Sequence, residues 1–235
     1  MASLTKQALT RLGLYRLDRR LKQRLRLVKY EMSYPPYGPE THRLILSAID
    51  VVRYGAVALA LTRLRQAHIA GDIAEVGVYR GELSKFMATV LPERTLHLFD
   101  TFHGFPAQDF ESAGEADDHR FQDTSVAAVR RLIGDGSTRV IFHEGYFPET
   151  ARELTAETFA LVVVDVDKYK PTRAALEVFY PRMNAGGYFF VHDYNSPESD
   201  YGVSRAVDEF LRDKPEQLVE LPDRGGSVVI RKTPR

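Results

Sequence analysis

The sequence predicts an α/β fold: a mostly parallel seven-stranded sheet with one antiparallel strand, helices on both faces, and a helical arm in front. Two observations carry this. From residue 73 onward, short apolar runs of strand length alternate with helical segments, and the runs are apolar throughout, as strands buried on both faces are. At the end, Leu218–Leu221 and Ser227–Arg231 stand close enough to form a hairpin, which puts one antiparallel strand into the sheet.

The arm comes first in the chain. Residues 1–31 carry nine Lys or Arg against Asp18 and Glu31, a balance of +7. The whole chain of 235 residues is neutral, with 32 basic and 32 acidic groups, so the remainder holds −7. Leu14, Leu17, Leu21, Leu25 and Val28 recur at steps of three and four, which is one face of an amphipathic helix. Two kinds of surface suit that face. One is protein, either this chain's own domain or a second subunit. The other is an anionic membrane surface, which attracts cationic amphipathic helices. Tyr34-Pro35-Pro36-Tyr37-Gly38-Pro39 has three prolines and cannot continue a helix, so it reads as a linker. The boundary expected from this is an arm and linker over 1–39 and a main domain over 40–235.

In the main domain Thr41 caps a helix expected to run to about Leu64, and Ala70-Gly71-Asp72 is a turn. Ile73–Val78 reads as a strand, Glu82–Val90 as a helix and Thr95–Asp100 as the second strand. Ser125–Ile133 is helical, Thr138–His143 is a strand and Glu149–Leu154 is a short helix. Ala160–Asp165 is a strand of almost unbroken β-branched residues. Pro171–Tyr180 is helical, Gly187–His192 is a strand, and Gly202–Arg212 is the last helix before the hairpin.

Composition excludes several functions. The chain has no Cys, which removes disulfide scaffolds, thiolate zinc sites, iron–sulfur clusters and cysteine nucleophiles. No apolar run reaches the length of a membrane span, and the N-terminus lacks the pattern of a secretory signal, so the cytoplasm is the expected place. Net neutrality argues against a nucleic-acid partner. No phosphate-cradling Gly-x-x-x-x-Gly-Lys-Ser/Thr stretch and no Gly-x-Ser-x-Gly elbow occurs.

Ligands of parallel α/β sheets bind outside the carboxyl ends of the strands. Here all five of those ends carry acids or glycines. They are Glu75-x-Gly77 with Gly81, Asp100, Glu144-Gly145, Asp165 with Asp167, and His192-Asp193. Glu75-Val76-Gly77-Val78-Tyr79-Arg80-Gly81 is a glycine turn between strand and helix that lets a ligand approach backbone closely, but it is not a dinucleotide fingerprint. Asp100, at the end of the next strand, suits a carboxylate accepting hydrogen bonds from ribose hydroxyls. Asp165, Asp167 and Asp193 admit two readings: they converge on a hard cation such as Mg²⁺, or Asp165 caps the following turn and Asp167 is solvated. His192 reads equally as a further ligand and as a buried histidine bonded to backbone. The other six histidines, His42, His68, His97, His103, His119 and His143, form no metal-type spacing. His42 stands apart because it follows the Pro-rich linker, where a substrate lid would hinge, and it is a candidate catalytic group.

These segments resemble the macrocin O-methyltransferase family. The resemblance rests on Glu75–Gly81, Leu98-Phe99-Asp100-Thr101-Phe102-His103-Gly104-Phe105-Pro106, Asp165-Val166-Asp167-Lys168-Tyr169-Lys170-Pro171-Thr172, Val191-His192-Asp193-Tyr194 and Gly202–Phe210. It covers about Ile73 to Arg231. It implies a Rossmann-like class I methyltransferase fold with S-adenosylmethionine as cofactor. The cofactor would lie on Glu75, Gly77, Tyr79, Gly81, Ser84, Asp100, Thr101, Ser125, Gly145, Tyr146 and Asp165. It also implies a divalent metal, Mg²⁺ in the family, held by Asp165, Asp193 and the residue before it. That residue is His192 here, where the family has aspartate, and imidazole suits transition metals better than Mg²⁺. Asp167 matches the proposed general base. Tyr79 and Tyr146 stand where family members often carry tryptophan.

The function expected is methyl transfer to a hydroxyl of a sugar-containing small molecule or glycan. Two other readings stand beside it: methylation of a phenol or catechol, and a cofactor-binding module without turnover. A homo-oligomer is expected.

Overall fold

A computed structural model describes residues 37–111, 118–136, 138–197 and 200–234. The chain divides into two units, Met1–Arg43 and Leu44–Arg235. The leucine stripe from Leu14 to Val28 and the first prolines of the linker lie outside the described residues.

The helix expected from Thr41 to Leu64 is two helices, α1 over Pro39–Ser47 and α2 over Val51–Gln66. Proline opens α1, where its missing N–H is not needed. Asp50 makes the break: its backbone is extended at φ −131°, and its carboxylate accepts from Val52 N and Arg53 N, both at 3.0 Å. An aspartate whose side chain captures the first free N–H groups starts a new helix rather than continuing the old one.

The rest follows the expected alternation. It runs β1 Asp72–Val76, α3 Glu82–Val90, β2 Leu96–Asp100, α4 Val126–Ile133, β3 Val140–Glu144, β4 Phe159–Val164, α5 Tyr169–Phe179, β5 Met183–Val191, α6 Gly202–Leu211, β6 Leu218–Leu221 and β7 Ser227–Arg231. Glu149–Glu153 is 3₁₀ rather than α, and a further 3₁₀ turn covers Ala107–Asp109. β5 begins earlier than Gly187 because its glycines sit inside the strand. A Cβ on Gly187 would meet Ala160 O at 2.8 Å, so only glycine lets β5 lie against β4 there.

The seven strands are ordered β3-β2-β1-β4-β5-β7-β6. β1 to β5 pair in parallel, and β7 runs antiparallel to both β5 and β6. Strand alternation sends Ala74, Val76, Val162 and Val164 to one core, with Leu176 and Phe179 of α5 and Val203, Val207 and Phe210 of α6. Their neighbours Ile73, Leu161 and Val163 face the other way, and α2 touches β4 and β5 and packs against α3. His97 and His143 are buried side by side. They share a hydrogen bond of 3.0 Å, and His143 pairs with Glu153 at 2.7 Å.

Near the sheet's far edge, Glu216 is buried under four donors. Tyr180 Oη reaches one oxygen, while Lys232 Nζ, Thr233 N and Thr233 Oγ1 donate to the other at 3.1, 3.1 and 2.9 Å. Burial works to raise its pKa, and these hydrogen bonds outweigh burial and hold it down at about 2. Because the folded value lies below the unfolded one, this carboxylate stabilises the fold above its ordinary pKa, and the contribution is lost as pH falls toward 2. Glu216→Gln should therefore cost about 1–3 kcal/mol at pH 7, with the deficit shrinking in acid below pH ~4.5. Denaturant titrations at several pH values check it, and a deficit that does not change with pH would refute it.

Candidate active site

The carboxyl ends of the strands open into one cavity of about 1020 Å³. Its floor is the end of β1. Glu75 is 2% exposed and accepts a hydrogen bond from Ser84 Oγ of α3. Burial pushes its carboxyl up to about 8, with the Ser84 hydrogen bond pulling the other way. The strand stops at Val76 because Gly77 takes φ +85°. A Cβ there would stand 1.9 Å from Asp165 O, so the chain passes β4 only as glycine. Gly81 also has positive φ, and a Cβ on it would meet Val129 of α4 at 2.5 Å.

Asp100, the last residue of β2, organises this turn. Its Oδ2 accepts from Val78 N at 2.7 Å and Tyr79 N at 2.8 Å, and its Oδ1 accepts from Phe102 N at 2.6 Å. An ionised carboxylate has about four acceptor sites, so room remains for a ligand donor. Thr101 beside it donates to Gly104 O at 2.6 Å.

The opposite wall is a charge cluster at the ends of β4 and β5. Asp165 accepts from Arg53 Nη1 at 2.8 Å. His192 Nδ1 lies 3.0 Å from Asp165 Oδ1 and 2.8 Å from Asp193 Oδ2, and its Nε2 lies 2.6 Å from Arg224 O and abuts Arg53 Nη2. Burial disfavours a charge on His192, but Asp165 and Asp193 outweigh it and push the imidazole up to about 10. Burial also opposes ionisation of Asp193, yet hydrogen bonds from His192 and Asp167 hold it at about 2. Asp167 is displaced the other way. Burial, its hydrogen bond to Asp193 and the charges of Asp165 and Asp193 push it far up, against the pull of Arg120. The two carboxyls are thus driven apart, Asp193 toward its charged form and Asp167 toward a higher pKa. Tyr79, Asp167 and Asp193 all have left-handed backbones, at φ 51°, 55° and 59°. Such strain persists where surroundings fix it, and it gathers at working sites.

The structure brings most of the expected residues to this cavity: Glu75, Gly77, Tyr79, Asp100 and Thr101 on one side, then Gly145, Tyr146, Asp165, Asp167, His192 and Asp193. Three stand behind the lining. Gly81 turns the chain into α3, Ser84 holds Glu75, and Ser125 caps α4 by accepting from Ala128 N at 3.2 Å. His42 belongs to the N-terminal unit, where it stacks on Tyr37 with centroids 6.4 Å apart. Sequence reasoning missed Arg53 and Asp223, which face each other with Nε and Oδ2 3.8 Å apart, and it missed Asp109. Arg53 does leave a trace in the sequence: it is a charge on the same helical face as the buried Val57, Ala60 and Leu64.

A family model described as macrocin-O-methyltransferase matches residues 31–220. The chain belongs to that family. Among its curated relatives, a mycinamicin III 3''-O-methyltransferase of Micromonospora griseorubida is 30% identical over 67% of this chain and 67% of its own length. A demethyldecarbamoylnovobiocin O-methyltransferase of Streptomyces niveus is 31% identical over 68% of this chain and 65% of its own. The chain thus spans about two thirds of the length of these relatives. The solved O-methyltransferase NovP superposes with a TM-score of 0.66 at 26% identity, covering 78% of this chain and 81% of that one. Family and fold together make this chain an O-methyltransferase of the Rossmann-like type. Among the described residues, no helix is long and apolar enough to cross a membrane.

Two substitutions test how the turn after β1 is built. Gly77→Ala should abolish binding of S-adenosylhomocysteine and destabilise the fold by about 3 kcal/mol or more, since backbone meets backbone at a strained φ. Asp100→Ala should weaken that binding by about 1–3 kcal/mol. Calorimetry and thermal melts read both, and unchanged binding in either variant would refute the role given to that residue.

Proposed function

We propose that this enzyme transfers the methyl group of S-adenosylmethionine to a hydroxyl of a sugar-containing small molecule or glycan. The observation that supports it best is the single cavity with the Gly77 turn and Asp100 on one side and Asp165, Asp167 and Asp193 on the other. When bound, the sulfonium donor supplies an already activated methyl, so the protein has to align a hydroxyl and accept its proton. Asp167 is the base. Once ionised, a carboxylate whose pKa is raised is a stronger proton acceptor than an ordinary one, and Asp193 and Arg120 hold it in place. Alignment falls to the aromatic and proline wall of Phe105, Pro106, Phe121 and Pro197.

The reading includes a divalent cation on Asp165, His192 and Asp193, one donor atom of each lying within 4.8 Å of the others. This donor set fits: it offers carboxylate oxygens and an imidazole nitrogen, which releases its proton on ligation. Such an ion would supply polarisation of the acceptor hydroxyl. Magnesium is the ion the family implies, and His192 shifts the preference toward borderline ions such as Mn²⁺. The same reading keeps an N-terminal arm over 1–39, a homo-oligomer and a cytoplasmic site of action.

A labelled methyl donor offered with glycosides and with simple phenols tests the acceptor class. Label should enter a sugar hydroxyl, and transfer to phenols alone would overturn the sugar reading. Asp167→Asn should lower kcat on the order of 10²–10⁴-fold while donor affinity stays close to that of the wild type. Calorimetric titration with Mn²⁺ and Mg²⁺ tests the cation. His192→Asp should tighten Mg²⁺ binding, and a wild-type chain that binds neither ion would remove the metal from the account.

A further inference from the structure

Arg53 lines the same cavity, yet aligning a hydroxyl and taking up its proton leave the arginine's charge without a task. It stands in the first turn of α2, where its N–H donates to Asp50 Oδ1 at 3.0 Å. The other oxygen of Asp50 accepts from Arg224 N at 2.9 Å. One carboxylate thus ties the base of this arginine to the β6–β7 turn.

The side chain is only 17% exposed and reaches toward the strand ends. Nη1 donates to Asp165 Oδ2 at 2.8 Å, and Nη2 abuts His192 Nε2, which also lies 2.6 Å from Arg224 O. Nε is buried without a hydrogen-bond partner, with Asp223 Oδ2 3.8 Å away. Leaving a buried N–H of the guanidinium fork unpaired is costly, so the contact with Asp165 is what this placement serves.

The edge that Arg53 takes decides its effect. Asp165 Oδ1, His192 Nδ1 and Asp193 Oδ2 stand together, the imidazole nitrogen 3.0 Å from the first oxygen and 2.8 Å from the second. They offer one face to a cation. Arg53 holds the reverse edge of two of these three residues, at Asp165 Oδ2 and His192 Nε2. A fixed positive charge therefore lies directly behind the donor atoms, where water screens little. It neutralises Asp165 by itself and repels a second cation. A guanidinium stays charged at any working pH, so protonation does not switch this effect off.

We propose that Arg53 is a built-in competitor of the divalent cation, an internal counter-ion of Asp165 whose charge keeps the affinity for the ion low. This rests on the cation reading above. Guanidinium and ion are two answers to the same excess of carboxylate, and each lessens the need for the other.

Calorimetric titration of Mn²⁺ into the full chain, without methyl donor or acceptor, reads the competition. Arg53→Gln should bind Mn²⁺ about 10- to 100-fold more tightly than the wild type. Arg53→Lys, which keeps the charge, should stay within about threefold of the wild type. Loss of Arg53 also costs stability, so melting curves with and without Mn²⁺ give a second readout. Mn²⁺ should raise the melting temperature of Arg53→Gln more than that of the wild type, because the ion supplies the missing charge. Binding by Arg53→Gln alone is the expected result in its strongest form. Equal or weaker binding by Arg53→Gln than by a wild type that does bind overturns this inference and leaves the cation reading standing. An Arg53→Gln chain that stays unfolded even with Mn²⁺ overturns it too, as does Arg53→Lys tightening as much as Arg53→Gln. If neither the wild type nor Arg53→Gln binds Mn²⁺, the cation reading itself falls and takes this inference with it.

Discussion

Too much negative charge stands at one end of this sheet for the fold to leave it unbalanced. Glu75, Asp100, Asp165, Asp167 and Asp193 all line one cavity, and Glu75 is nearly out of reach of water. Burying like charges together is expensive unless cations, hydrogen bonds or protons intervene. Each device is in use here. Asp100 spends its charge on three backbone N–H groups. Asp165 is met by Arg53 and His192, and Glu75 and Asp167 are pushed toward their neutral forms.

That balance explains why distant segments meet at the site. Arg53 comes from α2, a helix that exists as a separate element because Asp50 restarts the chain. Asp50 also accepts from Arg224 N at 2.9 Å, drawing in the β6–β7 turn, whose Asp223 faces Arg53 and whose Arg224 carbonyl faces His192. One helix start, one hairpin turn and two strand ends thus form a single electrostatic unit. Removing any cation from it leaves a buried carboxylate uncompensated, so the structural and chemical roles of Arg53 cannot be separated.

Much of this was legible in the sequence for simple reasons. Apolar strands and helices alternate with the right lengths, so the sheet, its parallel sense and the closing hairpin could be read directly. Strand ends are where such sheets work, so Asp100, Asp165, Asp167, His192 and Asp193 could be picked out by position. What escaped depends on long-range contact. Nothing local announces that Asp50 splits a helix or that Arg53 faces Asp165, 112 residues away. Asp109 sits in a polar loop with no periodicity, and only the closed structure shows its oxygen buried and unpaired. Ser84 and Ser125 sit near the ligand loops in sequence, yet one supports Glu75 and the other caps a helix, because a hydroxyl at a helix start serves a neighbouring carboxylate or the backbone as readily as a ligand.

The central claim is that the methyl donor lies across the strand ends with its reacting sulfur at the carboxylate cluster and its base toward β3. A crystal structure with S-adenosylhomocysteine measures that placement directly. The sulfur should lie beside Asp165 and Asp167, the ribose hydroxyls at Asp100 and the adenine beside Tyr146. A nucleoside lying instead over the β5–β7 side, against Asn195 and the Pro222–Gly226 turn, would contradict it.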